Sequence, residues 1–375
     1  MSRPWMTVGL HVPPKPPALN LRALVTMARL MRLESLTVWD HFQDLFPQAL
    51  WDNDFTWMSR LSASPHELFE FQVTLGNLAA RAGRLRLGVC VTEPVRRHPV
   101  LIAQAMMTLA HMTRRAPILG LGTGERENTQ PYGLDLSRPV SRLEEALQII
   151  RMCFESRGPV DFTGAHFTLD SAVMDLQPPR RRTPEIWIAA HGPRMLELTG
   201  RFGDGWLPVA VVSPEDYAAR LAVVRRSAIT AGREPSRIRP CLQSYVVFAP
   251  TMREAQAMLD TRLIRFVALL APAELWSQFG ERHPFGEDFR GFVDFLPEAH
   301  TRQELDDALA AVPREALSQA ITWGTPERVA SRLRDFGQAG ARHVNLELVS
   351  AAVSPKAALY APWAAMQVSR ALRVP

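Results

Sequence analysis

Pro117-Ile118-Leu119-Gly120-Leu121-Gly122-Thr123-Gly124-Glu125 is a short apolar run that breaks into alternating glycines and ends on a carboxylate. The run suits a buried parallel strand. Backbone without side chains lets a flat ring approach closely, and Glu125 stands where a carboxylate can move a proton. Two further strand ends have the same character, Val38-Trp39-Asp40-His41 and Ala189-Ala190-His191-Gly192. Three polar strand ends on one chain point to an active site at the mouth of an α/β sheet or barrel.

Working outward, strand-like runs at 7–11, 36–40, 86–91, 117–121, 185–189, 205–208, 242–248 and 343–348 alternate with helical apolar spacing. Helices are expected at 21–31, 67–81, 100–113, 142–155, 194–202, 215–231, 254–270 and 326–339, the last with Thr325 as N-cap. Eight strands, mostly followed by helices, favour an α/β fold of the (β/α)8 TIM-barrel type over an open sheet. Residues 1–375 then form one domain. Residues 160–169 read as a small hairpin turning at Gly164. Residues 42–64 and 272–321 exceed the minimal unit. As insertions after barrel strands they are the candidate lids.

Composition narrows the function. The net charge is +5, and only Lys15 and Lys356 among 43 basic residues are lysines. The arginines are scattered without an aromatic platform, which argues against nucleic acid. No apolar segment approaches the roughly 18 residues of a membrane span, and the N-terminus lacks a signal-peptide apolar region. Cys90, Cys153 and Cys241 are distant and odd in number, as expected of reduced thiols in a cytoplasmic protein. No His/Cys/Asp cluster has metal-ligand spacing. Walker, Gly-X-Gly-X-X-Gly and Gly-X-Ser-X-Gly signatures are all missing.

Three places carry candidate chemistry. Asp40-His41 sets an imidazole beside a carboxylate that can hold its tautomer, although a strand-end histidine is often structural. Glu125, desolvated under a ligand, would titrate upward; the alternative is a solvated loop glutamate. His191-Gly192-Pro193-Arg194-Met195 opens a helix, where free N–H groups and Arg194 suit an anion. A plain strand-to-helix turn explains it equally well.

Together these segments resemble the bacterial luciferase-like superfamily, in the branch that uses the deazaflavin coenzyme F420. Thr37-Val38-Trp39-Asp40-His41-Phe42-Gln43, Thr92, Gly122-Thr123-Gly124-Glu125, Ala189-Ala190-His191-Gly192-Pro193 and Asp204-Gly205-Trp206 carry the likeness. The chain is most similar to the phthiodiolone dimycocerosate ketoreductases, through 87–92, 124–127 with 131–133, and 190–196. The resemblance implies that His41 exchanges a proton with the substrate oxygen and that Glu125 serves the N1 side of the deazaflavin, the two lying on opposite sides of the ring. It implies cofactor contacts from Asp40, Thr92, Thr123, Gly124, Asn128, His191, Gly192, Arg194 and Met195. It also implies a non-proline cis peptide at Val89–Cys90, bulging behind the ring.

One departure bears on substrate. Where the related sugar-phosphate dehydrogenases carry phosphate-binding polar residues, this chain reads Trp206-Leu207-Pro208-Val209-Ala210-Val211-Val212. An apolar wall cannot pair a phosphate dianion. Trp206, Val209 and Val212 are therefore expected to face a lipid-like ketone, reduced by hydride from the cofactor. The competing readings are an FMN-dependent monooxygenase, an F420-dependent alcohol or sugar dehydrogenase, and a ligand carrier without turnover. A homodimer formed around 142–155 is expected by analogy.

Overall fold

Eight parallel strands close on themselves in this computed structural model, which describes residues 4–374 apart from 210 and 212. They are β1 (Thr7–Val12), β2 (Ser35–Val38), β3 (Arg86–Thr92), β4 (Ile118–Leu121), β5 (Glu185–Ile188), β6 (Gly205–Trp206), β7 (Arg239–Phe248) and β8 (His343–Glu347). Each pairs with the next, and β8 returns to β1 through Thr7↔His343 to His11↔Glu347. Closure removes both sheet edges. A three-residue strand, Thr322–Gly324, adds to the far end of β7.

The outer layer is α1 (Ala18–Leu30), α2 (Phe71–Ala82), α3 (Pro99–Met112), α4 (Pro139–Glu155), α5 (Pro193–Phe202), α6 (Pro214–Thr230), α7 (Pro326–Gln338) and α8 (Pro355–Ala371). The expected (β/α)8 alternation is therefore present. Six of these helices begin with proline at or near the first position, where no N–H is needed. α2 starts later than its apolar spacing suggests because Glu70 is extended and its carboxylate accepts from Val73 N, fixing the helix start there. Thr325 does occupy the N-cap of α7, but its side chain makes no cap bond.

The expected single helix over 254–270 is two, Met252–Leu259 and Arg262–Leu269. Thr261 between them is extended. They open a long helical excursion between β7 and α7 that includes 272–321. Leu50, Trp51 and Phe55 from the 42–64 segment join Phe266, Trp276 and Phe295 from this excursion in one buried apolar cluster. That cluster stands over the C-terminal ends of the strands, separate from the main core between strands and helices. The 160–169 hairpin is antiparallel, Val160–Thr163 with Thr168–Ala172.

Two general features complete the frame. Among the described residues no helix is long and apolar enough to cross a membrane, and all three cysteines are free and buried. Exposed Val73, Leu101 and Met112 gather on α2 and α3; α4, where a dimer face was expected, has no large exposed apolar side chain.

Candidate active site

A cavity of about 220 Å³ opens at the C-terminal ends of the strands. β2 delivers Trp39, Asp40 and His41 to it, and β4 delivers Gly122, Thr123, Gly124 and Glu125. Two hydrogen bonds lock these strand ends together. Phe42 N donates to Asn128 Oδ1 at 2.8 Å, and Gln43 Nε2 donates to the Glu127 carbonyl at 2.6 Å. A single turn, Arg126–Asn128, brings Glu125 and Glu127 to the same imidazole.

His41 lies between two carboxylates. Its Nε2 is 3.5 Å from Glu125 Oε2, and its Nδ1 is 3.2 Å from Glu127 Oε1. The second contact is one of proximity and not an aligned hydrogen bond, since Nδ1 has no hydrogen-bond partner. Glu127 is fully buried, whereas Glu125 and His41 keep 17% and 14% of their side chains open to the cavity. Burial, then the like charge of Glu127, holds the Glu125 carboxyl well above its ordinary value. Burial pushes Glu127 up to about 7. Two carboxyls that favour their protonated forms thus stand on either side of one imidazole.

This arrangement corrects two expectations. A ring cannot lie between groups 3.5 Å apart, so His41 and Glu125 do not flank a planar cofactor from opposite sides. Asp40 does not orient His41 either. Its Oδ2 accepts from Thr92 Oγ1 and Arg97 Nη1, both at 2.6 Å, and lies 3.1 Å from Arg96 Nη2. Asp40 is a buried anchor between β2, β3 and the arginines that follow β3. The orienting carboxylate is Glu127, which sequence spacing did not single out.

The other expected residues divide. Asp40, Cys90, Thr123, Gly124, Asn128, His191 and Val209 line the cavity. Thr92 is buried behind it, bonded to Asp40. Val89 is fully buried in the main core, and Cys90 and Val91 take its place on the lining. The cis peptide falls at Cys90–Val91, one bond later than expected. Pairing of β3 with β4 is regular through Val89 and resumes at Thr92, so the irregular bond sits in the shifted part. Gly192 and Arg194 stand at the exposed start of α5, outside the cavity, where Arg194 pairs with Glu144 at 3.0 Å. Met195 is buried in the core. Trp206 faces the helices, with Nε1 donating to the Ala190 carbonyl and its ring 4.7 Å from Tyr217. Strand alternation explains this, because Leu207, the next residue, lines the cavity. Val212 lies outside the described residues.

The structure adds residues that the sequence reading left aside. Thr37, His11, Glu347 and Tyr245 stand in register across β2, β1, β8 and β7, and the last three line the cavity with Gln243. Burial, then the charge of His41, brings His11 down to about 3, and burial pushes Glu347 up to about 8. The signal was present: β8 alternates His343, Asn345 and Glu347 with Val344 and Leu346. Polar residues at every second place of a buried strand mark a polar barrel interior. Arg96 is another addition. Its side chain is 3% exposed and bonded to Glu93 and the Asp40 carbonyl, yet Nη1 has no partner.

His41, Glu125 and Glu127 also offer one ligand atom each within 4.8 Å of one another, a geometry that can hold a cation and that the sequence spacing did not foreshadow.

A family model described as luciferase-like monooxygenase matches residues 51–343. The chain belongs to the luciferase-like family. The phthiodiolone/phenolphthiodiolone dimycocerosates ketoreductase of Mycobacterium bovis (strain BCG / Pasteur 1173P2) is 38% identical to it over 338 residues, 88% of each chain. Among solved structures, an F420-dependent secondary alcohol dehydrogenase in complex with an F420-acetone adduct superposes with a TM-score of 0.72 at 20% identity, over 91% of this chain and 93% of that one. A riboflavin lyase with modified FMN gives 0.70 at 14% identity, over 97% and 91%. At such identities the structural matches speak for the luciferase-like barrel, and the chemistry must be argued from the site.

The shifted groups make the stability of this luciferase-like chain pH-dependent. Glu127 and Glu347 titrate near 4.5 when unfolded but at about 7 and about 8 when folded. Their contribution is complete below 4.5 and is lost as pH rises through those folded values. His11, His191 and His343 are depressed below 6.5, so their contribution is complete above 6.5 and is lost only in acid. Among these groups, only the carboxyls change between pH 6.5 and 8. Denaturant titrations should show stability falling by roughly 2–3 kcal/mol over that interval, with a shallower fall in Glu347→Gln. A flat or rising profile would refute the assignment.

Proposed function

We propose that the chain is an F420-dependent ketoreductase acting on an apolar, lipid-like ketone. The observation that carries the reading is the Glu125–His41–Glu127 relay set at the mouth of the barrel beside the bare backbone of Gly122 and Gly124.

The residues present fit a deazaflavin. A Cβ at Gly122 would come within 2.9 Å of Val91 Cγ2, and Gly124 has a φ of +95° with Leu136 3.0 Å from where a Cβ would stand. Neither position tolerates a side chain against these neighbours, so both glycines present bare backbone to the cavity they line. Arg96 Nη1 is a buried donor without an acceptor, which suits a carbonyl of the ring's pyrimidine edge. Gly122, Thr123, Gly124, Arg96 and Asn128 would hold the ring, with Cys90 and Val91 behind it. The name of the 38%-identical ketoreductase supports the reaction class, and the barrel is one on which an F420-dependent dehydrogenase is also built.

A reduced deazaflavin held there would supply the hydride for a ketone carbon. His41 then delivers a proton to the carbonyl oxygen from Nε2. Glu125, in contact with that nitrogen, passes on a replacement proton, and buried Glu127 steadies the imidazolium through Nδ1. Val267, Leu270, Ala271, Phe292 and Val293 wall the cavity on the excursion side, excluding water and seating an alkyl chain. Arginine is available at Arg96, but it is engaged by Asp40 and Glu93, so a phosphorylated substrate has no free cation there.

Titration of the purified protein with F420 and with FMN tests the reading. F420 should bind and FMN should fail to displace it, with the bound chromophore absorbing in the violet and ketone-dependent bleaching of reduced F420 that needs no oxygen. Preferential FMN binding with oxygen consumption would instead make the chain a flavin monooxygenase.

A further inference from the structure

The relay leaves a second polar group in the same cavity without a task. Gln243 and Tyr245 project from β7, and Glu347 from β8 stands in register with Tyr245. Gln243 Nε2 donates to Glu347 Oε2 at 3.2 Å, while Gln243 Oε1 is buried with no partner. Gln243 as a whole is 8% exposed. A buried amide oxygen left unpaired is costly unless something else satisfies it. The same lining carries the apolar side chains of Val267, Leu270, Phe292 and Val349, and no protein group reaches Oε1.

The chemistry of the missing partner can be narrowed. As the amide stands, Oε1 requires a donor. Turned over, Nε2 would require an acceptor and Oε1 would accept a hydrogen bond from neutral Glu347, which burial keeps protonated up to about pH 8. A hydroxyl group both donates and accepts, so it satisfies either arrangement. A carboxylate does not fit, because it brings charge next to Glu347 in a site with no free cation among its described lining residues. A hydrocarbon leaves the amide orphaned.

Tyr245 lies beside Glu347, and burial, then the charges of Glu347 and Glu125, holds its hydroxyl well above the ordinary value. We propose that Gln243 and Glu347 form a specificity subsite for a free hydroxyl carried on the same molecule as the reacting carbonyl, making the preferred substrate class a long-chain hydroxyketone rather than a simple ketone. This rests on the ketoreductase reading for the carbonyl, and on the Gln243–Glu347 geometry alone for the hydroxyl.

The test uses a long-chain methyl ketone and a series of its mono-hydroxylated analogues, with the hydroxyl moved one carbon at a time. Binding to the F420-free protein is read by calorimetry, and kcat/KM with reduced F420 is read separately. One position in the series should bind about 10–100-fold more tightly than the parent ketone, with the same preference in kcat/KM. In Gln243→Met, close in shape but without the amide, that ratio should collapse to about one. Glu347→Leu should do the same where Gln243→Met does not fold. No preferred position in the wild type, or a preference that survives both substitutions, overturns the subsite. Failure to reduce any ketone, with the binding preference intact, overturns the ketoreductase reading and leaves the hydroxyl subsite standing.

Discussion

His41→Ala should lower ketone turnover with reduced F420 by about 10²–10⁴-fold, the range of a lost general acid, while leaving F420 binding within a few-fold of wild type. The imidazole is the one group in the cavity held by carboxylates on both nitrogens, at 3.5 and 3.2 Å. Its removal leaves Glu125 to face the carbonyl alone, and Glu125 already favours its neutral form through burial and the nearness of Glu127. The residual activity should then require higher proton concentration. Glu127→Gln separates orientation from proton transfer: it keeps the volume and the contact to Nδ1 but removes the charge that steadies the imidazolium. It should cost less than His41→Ala and act on kcat more than on KM. Near-normal turnover in His41→Ala would remove the relay from the mechanism.

The second large effect is on stability. Asp40→Ala should destabilise the protein by about 3–5 kcal/mol, the cost of breaking a buried ion pair by deleting one partner. Asp40 is 4% exposed and holds Thr92, Arg96 and Arg97 at once. Arg96 and Arg97 have further partners in Glu93 and Glu70, which sets the loss toward the lower end. Denaturant unfolding measures it directly. Asp40→Asn should lose less, because an amide oxygen still accepts from Thr92. A loss below about 1 kcal/mol in Asp40→Ala would mean that the pair behaves as a solvated surface bridge.

Much of the barrel was legible because each strand is a run of apolar residues between recognisable turns. The Gly122–Glu125 turn and the Asp40-His41 strand end were legible for the same reason, since polar groups at the end of a buried run have few other places to go. The partners of those groups were not. Asp40 and His41 are adjacent in sequence but point to different neighbours, as successive residues at a strand end do. Glu127 reaches His41 only because a one-turn helix follows Glu125. The Thr37–His11–Glu347–Tyr245 row unites residues more than 300 positions apart and exists only because β8 closes onto β1. Trp206 was misassigned because an aromatic next to a proposed site looks like a wall until strand alternation turns it outward. The break at Thr261 carried no Gly or Pro to announce it.

The apolar cluster above the strand ends has a mechanical consequence. Phe46 meets Phe55 and Phe266 at 5.4 and 5.7 Å, Phe55 meets Phe266 at 5.8 Å, and Phe266 meets Phe295 at 5.6 Å. The rings stitch a segment following β2 to one following β7, across the arc of the mouth that β1 and β8 span. Neither flap can swing alone without baring aromatic surface to water. The roof of the chamber is thus a cross-braced vault and not a hinged door.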